Sequence, residues 1–338
     1  MNGVSGMECR QVQLTKLPDG QVTAGNFGAF DVECPVPEPG QVLVRLRRLG
    51  LNAGLAHRLG GAGTAYGPGI GIGDVPASDA VVEVLQSESP AFQPGDLAVT
   101  TAMWSTVQVC DAGLLRAIPS PEAGRTLETY LTVLGHVGFT AYTGMIHIGE
   151  VKAADTVYVS AAAGGVGSCA VQFAKAKGAT VIGSAGSVEK VSMITDVLGA
   201  DSAVNRHDGP AVDLLRQAAP DGIDLYYDNV GGEQLEAALD CLNFEGRVVI
   251  CGAVSQGAQP SGPANYRRMI YQELTMRGFA VTSHEDLRPE FESTVGGWLQ
   301  QGKVQSVHTT FEGFDSTPEA FASLLAGGSK GRVIVSVG

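Results

Sequence analysis

The sequence predicts an α/β protein: a doubly wound parallel sheet of six strands inserted into a β-rich, barrel-like domain. Three observations lead there. From about residue 126 apolar strand candidates alternate with helical stretches, the pattern of parallel βαβ units. One strand-to-helix junction is a run of small residues, "AAAGGVGS" at 161–168. The final strand candidate, "GRVIVSV", follows six others and is therefore expected to return to the N-terminal β module.

Residues 1–125 read as short strands broken by glycine and proline. "PEPGQVLVRLRRLGLN" turns at Pro39-Gly40 and then alternates through Val42, Val44 and Leu46, and "AVVEVLQ" and "FQPGDLAVTTA" repeat the style. No long helical period appears there, which suits a partly closed barrel. In the second region the strand candidates are 156–160, 180–184, 202–205, 223–228, 247–252 and 275–281. Helical stretches between them include "SCAVQFAKAKG", "SVEKVSMITDVLGA", "PAVDLLRQAA" and "GEQLEAALDCL", and "TPEAFASLLAGG" precedes the last strand. The expected division is 1–125, 126–300 and 301–338, the last segment rejoining the first.

With 338 residues the chain is long enough for two domains. Its net charge of −13 argues against nucleic acid or an anionic membrane as a partner, since either would be repelled. An anionic small ligand then requires a local basic pocket. Cys9, Cys34, Cys110, Cys169, Cys241 and Cys251 form no C-x-x-C pair, and free, mostly buried thiols in a reducing cytoplasm are expected. The first twenty residues lack the basic and apolar regions of a signal peptide, and no apolar run reaches membrane-spanning length.

The small-residue run carries the first functional signal. Matched against G-x-G-x-x-G it reads Ala162, Ala163, Gly164, Gly165, Val166, Gly167, with alanine at the first glycine position. Gly164 allows the backbone to approach a pyrophosphate, Gly167 allows helix and strand to pack closely, and the helix N-terminus supplies free N–H groups. An NAD-selective site places a carboxylate about twenty residues on, at the end of the second strand. Here "GSAGSVEK" offers Gly183, Ser184, Ala185, Gly186 and Ser187, with Lys190 one turn into a helix that Ser187 would cap. Arg206, just past the third strand, is expected at the same phosphate, and Glu189 is assigned to the helix rather than the strand end. Hydroxyls, a helix N-terminus and two cations predict a 2′-phosphate pocket, and hence NADPH.

These residues, with "GFTAYTG" (138–144), "YDNVGGE" (227–233), "ICGAVSQ" (250–256), "YQELTMRGF" (271–279) and "KGRVIV" (330–335), resemble the zinc-independent medium-chain dehydrogenase/reductase superfamily. The likeness is to its branch of alkenal/one oxidoreductases and prostaglandin reductases, and it runs along nearly the whole chain. It implies a GroES-like β-barrel substrate domain around a Rossmann domain, often a homodimer, reducing the C=C bond of α,β-unsaturated carbonyls with NADPH. By matching positions, Thr140 should lie near the nicotinamide. Asn229, Cys251, Gly252 and Ala253 should line the ribose and pyrophosphate, and Phe279 and Val281 should flank the nicotinamide. Cys251 reads equally as an inert buried thiol. Four positions depart from the pattern. Gly257 replaces a tyrosine after the "CGA-I-S" block, and Ala53 or Gly54 stands where another tyrosine might be. Ser329 replaces an asparagine on the cofactor side, and Arg206 replaces the third-strand tyrosine.

Hydride addition to an enone builds negative charge on the carbonyl oxygen, where a hydrogen-bond donor is a large catalytic term. The candidate donors are Tyr66 in "TAYGPGIGIG" and Tyr266 in "GPANYRRMIYQ", with Asn52 as a polar group on the substrate side. A tyrosine is as readily a wall residue, and the ribose hydroxyl of the cofactor is an alternative donor. His57, His136, His147, His207, His284 and His308 give no H-E-x-x-H and no structural cysteine quartet exists, so no metal is expected. His136 sits near the expected nicotinamide site. Further readings are an NADPH:quinone reductase, a biosynthetic enoyl-thioester or tailoring reductase, and a nucleotide-binding protein without turnover.

Overall fold

The computed structural model describes residues 9–61, 63, 67–121, 125–253 and 262–338. Alternating apolar residues and turn glycines give the N-terminal part its strands: β1 (Cys9–Leu14), β2 (Phe27–Val32), β3 (Gln41–Gly50), β4 (Ala77–Ser87), β5 (Leu97–Met103), β6 (Val107–Asp111) and β7 (Arg116–Ile118). β1 and β2 form an antiparallel ribbon, and the rest join a sheet that the C-terminal strands complete. β3 is its centre, and Val42, Leu43 and Val44 are buried on both of its faces. The first half of β3 pairs with β6 and its last residues pair with β15, so two strands share one edge. Register shifts near Leu43/Val44 and Leu46/Arg48 mark the bulges that let the strand bend between them. Among the described residues the pairing path stays open, running β14-β15-β3-β4-β5-β7.

The second region carries α1 (His136–Tyr142), β8 (Thr156–Val159), α2 (Gly165–Ala176), β9 (Thr180–Ala185), α3 (Val188–Asp196), β10 (Ser202–Asn205), α4 (Ala211–Ala218), β11 (Ile223–Asp228), α5 (Gly232–Cys241), β12 (Leu242–Ile250), α6 (Arg268–Tyr271), β13 (Thr275–Gly278) and α7 (Arg288–Gln300). Its six strands lie in the order β10-β9-β8-β11-β12-β13, every neighbouring pair parallel. That is the doubly wound sheet predicted from the alternation. Its switch point falls between β8 and β11, where ligands bind beyond the strand ends. β12 starts five residues before its expected position, because Glu245 takes a positive φ of 58° and bulges the chain without ending the pairing. No helix among the described residues is long and apolar enough to cross a membrane.

The chain then returns through β14 (His308–Glu312), α8 (Thr317–Leu325) and β15 (Arg332–Ser336). β15 lies antiparallel to β3. Phe27, Trp104 and Phe321 meet at 5.4–5.9 Å in this unit's core, and Trp104 donates its indole N–H to Ser78 at 3.1 Å. The two compact units are residues 1–131 with 308–338, and residues 132–307. Both limits lie a few residues beyond 125 and 300 for a visible reason. Leu127–Leu131 forms a 3-10 turn against β3, β4 and β15, with Glu128 paired to Arg48. Gln305 and Ser306 bond back to Gln172 and Thr132 in the second unit.

One expectation is corrected. Cys9 and Cys34 form a disulfide, with Cα atoms 5.3 Å apart, and Cys110, Cys169, Cys241 and Cys251 remain thiols. The ribbon register places Cys9 opposite Val32, which brings residue 34 alongside it. A separation of 25 residues carries no such signal in the sequence.

Candidate dinucleotide site

At the phosphate turn, Ala161 has a φ of +47°, and Ala162 donates its N–H to Ser184 O at 2.9 Å, tying the turn to β9. Gly164 is the N-cap of α2 and no side chain caps the helix. The first-turn N–H groups, at Gly165, Val166 and Gly167, have no intrahelical acceptor, and the helix dipole adds positive potential there. A Cβ on Gly167 would lie 2.3 Å from Ala161 O and 2.9 Å from Ala162 Cα, so only glycine lets helix and turn approach this closely. Uncapped donors above a glycine contact fit a pyrophosphate.

Beyond β9, Ser187 caps α3 and accepts from the Lys190 N–H at 3.4 Å, while Glu189 lies in the first turn of the helix rather than at the strand end. Arg206 is anchored through its N–H to Ala185 O at 2.8 Å, and its guanidinium lies over Gly186. A Cβ on Gly186 would be 2.9 Å from Arg206 Nε and 3.4 Å from His207 Nε2. His207 is therefore a second basic group beside Gly186, and its place next to Arg206 in "NRHDG" is the only signal the sequence held. Ser184, expected in this pocket, is instead buried and its hydroxyl turns inward to Gln234 at 3.4 Å. Strand alternation puts it on the face that α5 covers.

The other half of the site forms at the ends of β11 and β12. Asn229 donates its N–H to Ser160 Oγ at 3.0 Å and its Nδ2 to Ser160 O at 2.8 Å, leaving Oδ1 as an acceptor. Cys251 and Gly252 both donate their N–H groups to Asp228 O, at 2.9 and 3.0 Å, and Ala253 follows them. The Asp228 side chain is fully buried. Its Oδ1 accepts from the Tyr226 hydroxyl at 2.7 Å and from the Val230 and Gly231 N–H groups at 2.8 Å. Burial outweighs these donors and raises its pKa. Burial likewise pushes the Cys251 thiol up to about 11, so it is a neutral group at pH 7.

α1 runs into a π-helical turn over Thr143–Ile148 that brings Gly144 against two rings. A Cβ there would lie 2.7 Å from the Tyr227 ring and 2.9 Å from that of Phe279. Tyr227 also donates its hydroxyl to Thr140 O at 3.2 Å, so Thr140, β11 and Phe279 converge. Thr140 turns its own hydroxyl back to His136 O at 2.8 Å. Val281 opens the 3-10 segment that follows, and Phe279 meets His284 edge-on at 6.5 Å.

Tyr266 is 59% exposed, and its neighbours Asn265 and Arg268 are bonded along α5 to Glu236 O and Asp240. Asn52 belongs to the other unit, where it caps a 3-10 turn by accepting the Leu55 N–H at 3.1 Å, which commits its oxygen. Ser329 is buried between α8 and β15. His136 is exposed at the start of α1. Tyr66 and Gly257 lie outside the described residues. Among those described, no group of three or more His, Cys, Asp or Glu side chains could hold a metal.

Comparison with known proteins matches residues 10–118 to the N-terminal domain of oxidoreductase and residues 165–295 to the family described as zinc-binding dehydrogenase. Prostaglandin reductase 1 of Mus musculus is 36% identical over 97% of this chain and 99% of its own. The NADPH-dependent curcumin reductase of Escherichia coli is 32% identical over 97% and 96%. The crystal structure of CurA from Vibrio vulnificus in complex with NADPH superposes with a TM-score of 0.90 at 31% identity, covering 97% of this chain and 99% of that one. With sequence, fold and strand-end geometry in agreement, the chain belongs to the zinc-independent medium-chain dehydrogenase/reductase superfamily, in its branch of alkenal/one oxidoreductases and prostaglandin reductases.

Proposed function

We propose that the protein reduces the C=C bond of an α,β-unsaturated carbonyl compound with NADPH. The observation that carries the cofactor choice is Arg206 and His207 over Gly186, next to the Ser187-capped start of α3 and with no carboxylate on residues 183–187. Curcumin, the compound named for the Escherichia coli relative, is itself a conjugated enone.

When bound, NADPH would supply a hydride to the β-carbon of the acceptor. The N–H groups of Gly165 to Gly167 would hold the pyrophosphate, and Lys190 and Arg206 would neutralise the 2′-phosphate, with His207 as a further hydrogen-bonding partner. Asn229 presents a carboxamide oxygen to a ligand hydroxyl or amide, because its other groups are held by Ser160. Thr140, Phe279 and Val281 wall the nicotinamide side. Charge would develop on the substrate carbonyl oxygen, where Tyr66 is a candidate hydrogen-bond donor, and would be quenched by protonation at the α-carbon. Cys251 stays neutral and takes no part as a nucleophile.

The reading extends to a cytoplasmic homodimer. β13 is the outermost strand of the parallel sheet with Thr275 and Arg277 exposed, and Phe244, Ile270 and Tyr271 are exposed apolar side chains of the same unit. A second copy pairing at that edge would cover them, and sedimentation of the purified chain as a monomer would exclude it.

The test of activity is NADPH oxidation against enones, enals, enoyl thioesters and quinones, each product identified by mass. A saturated carbonyl carrying deuterium at the β-carbon from labelled NADPH is the expected result. Turnover confined to quinones would replace this reading with a quinone reductase. Tight NADPH binding without turnover on any acceptor would remove both.

A further inference from the structure

Two tyrosines lie side by side beneath the strand ends. Tyr158 on β8 and Tyr226 on β11 are register partners, 2% and 0% exposed, with rings stacked at 5.2 Å and 19°. Burial raises both phenols above their ordinary range, so both remain O–H donors. Their hydroxyls go opposite ways. That of Tyr158 donates to Gln234 of α5, whose Oε1 also accepts the Ser184 hydroxyl of β9 at 3.4 Å. The backbone carbonyl of Ser184 in turn accepts the Ala162 N–H of the phosphate turn at 2.9 Å. The Tyr226 hydroxyl donates to Asp228 Oδ1 at 2.7 Å and lies 3.0 Å from Ser160 Oγ. Ser160 is the residue that holds Asn229 at both its N–H and its amide.

Phenylalanine at either position would keep the ring stack, so core packing alone does not need the hydroxyls. Each buried hydroxyl nonetheless has partners, and each set of partners belongs to a different half of the site. We infer that Tyr158 and Tyr226 are a pair of positioning residues that divide the dinucleotide site: Tyr158 aligns the adenosine-phosphate half through Gln234 and the Ser184 it holds, and Tyr226 aligns the nicotinamide half through Ser160 and Asn229. The inference rests on the NADPH reading above. Neither tyrosine touches the cofactor; each acts through the residue it holds.

The test uses Tyr158→Phe and Tyr226→Phe in the full chain, with adenosine 2′,5′-bisphosphate as a probe of the adenosine half alone. Tyr158→Phe should weaken calorimetric binding of the bisphosphate and of NADPH by the same factor, about fivefold for one neutral hydrogen bond, with kcat at saturating NADPH kept. Tyr226→Phe should leave bisphosphate affinity unchanged and lower kcat on an enone by about tenfold, as for a hydrogen bond to a charged group. Equal effects of the two variants on bisphosphate binding would overturn the division, since a merely structural role moves both alike. Should either variant fail to fold, Ser184→Ala must reproduce the first pattern and Ser160→Ala the second. A wild-type protein that binds neither the bisphosphate nor NADPH would instead overturn the cofactor reading itself.

Discussion

Gly186→Ala isolates the charge proposed to select the cofactor. The added Cβ would fall 2.9 Å from Arg206 Nε, 3.3 Å from its Nη2 and 3.4 Å from His207 Nε2. All three are ends of side chains, and Gly186 does not have a positive φ, so the backbone need not move. The guanidinium yields instead, swinging off the α3 N-terminus. A hydrogen bond to a charged group contributes about 1.5–3 kcal/mol, and the lower figure applies here because Arg206 is exposed. The expected result is an NADPH Kd raised about tenfold at low salt, with NADH affinity and thermal stability unchanged. Fluorescence titration of the reduced cofactors measures this, and the NADPH effect should shrink as ionic strength rises. Arg206→Ala should have the same effect, and the double variant should add little to either. An equal loss for NADH, or full additivity with Arg206→Ala, would refute the placement of Arg206 at the 2′-phosphate.

Gly167→Ala should behave in the opposite way. Its Cβ meets backbone at 2.3 Å, which cannot swing aside, so it should lower stability by about 1–3 kcal/mol and weaken NADPH and NADH together. Asp228 makes stability fall as pH rises. Its folded pKa is raised, so the folded state holds a proton that the unfolded chain has released, and stability drops from about pH 4 up through the raised value. Asp228→Asn should flatten that slope in thermal melts across pH, and an unchanged slope would assign it to other groups. Cys34→Ser, or reductant on the native protein, should cost about 3 kcal/mol, from the 25-residue separation closed by the disulfide. Melting curves that coincide with and without reductant would contradict this.

The sequence by itself determined what short-range physics controls. Strands at 202–205 and 223–228, the turn at 161–168 and the Ser187 cap all follow from periodicity, glycine and capping within a few residues. The basic residues of the proposed cofactor pocket stand out in the sequence because Lys190 and Arg206 follow the ends of adjacent strands. Tertiary structure decided whatever depends on residues distant in the chain. It paired Cys9 with Cys34 through the ribbon register, set His207 beside Gly186, and turned Ser184 inward beneath α5. It also left Tyr266 in solvent and gave residues 127–131 to the β-rich unit. A side chain's type is written in its own position, but which face it takes, and what waits there, is fixed only when another strand or helix arrives. The phosphate cradle is local and could be read; the network of tyrosines beneath it spans β8, β9, β11 and α5, and only the folded sheet assembles it.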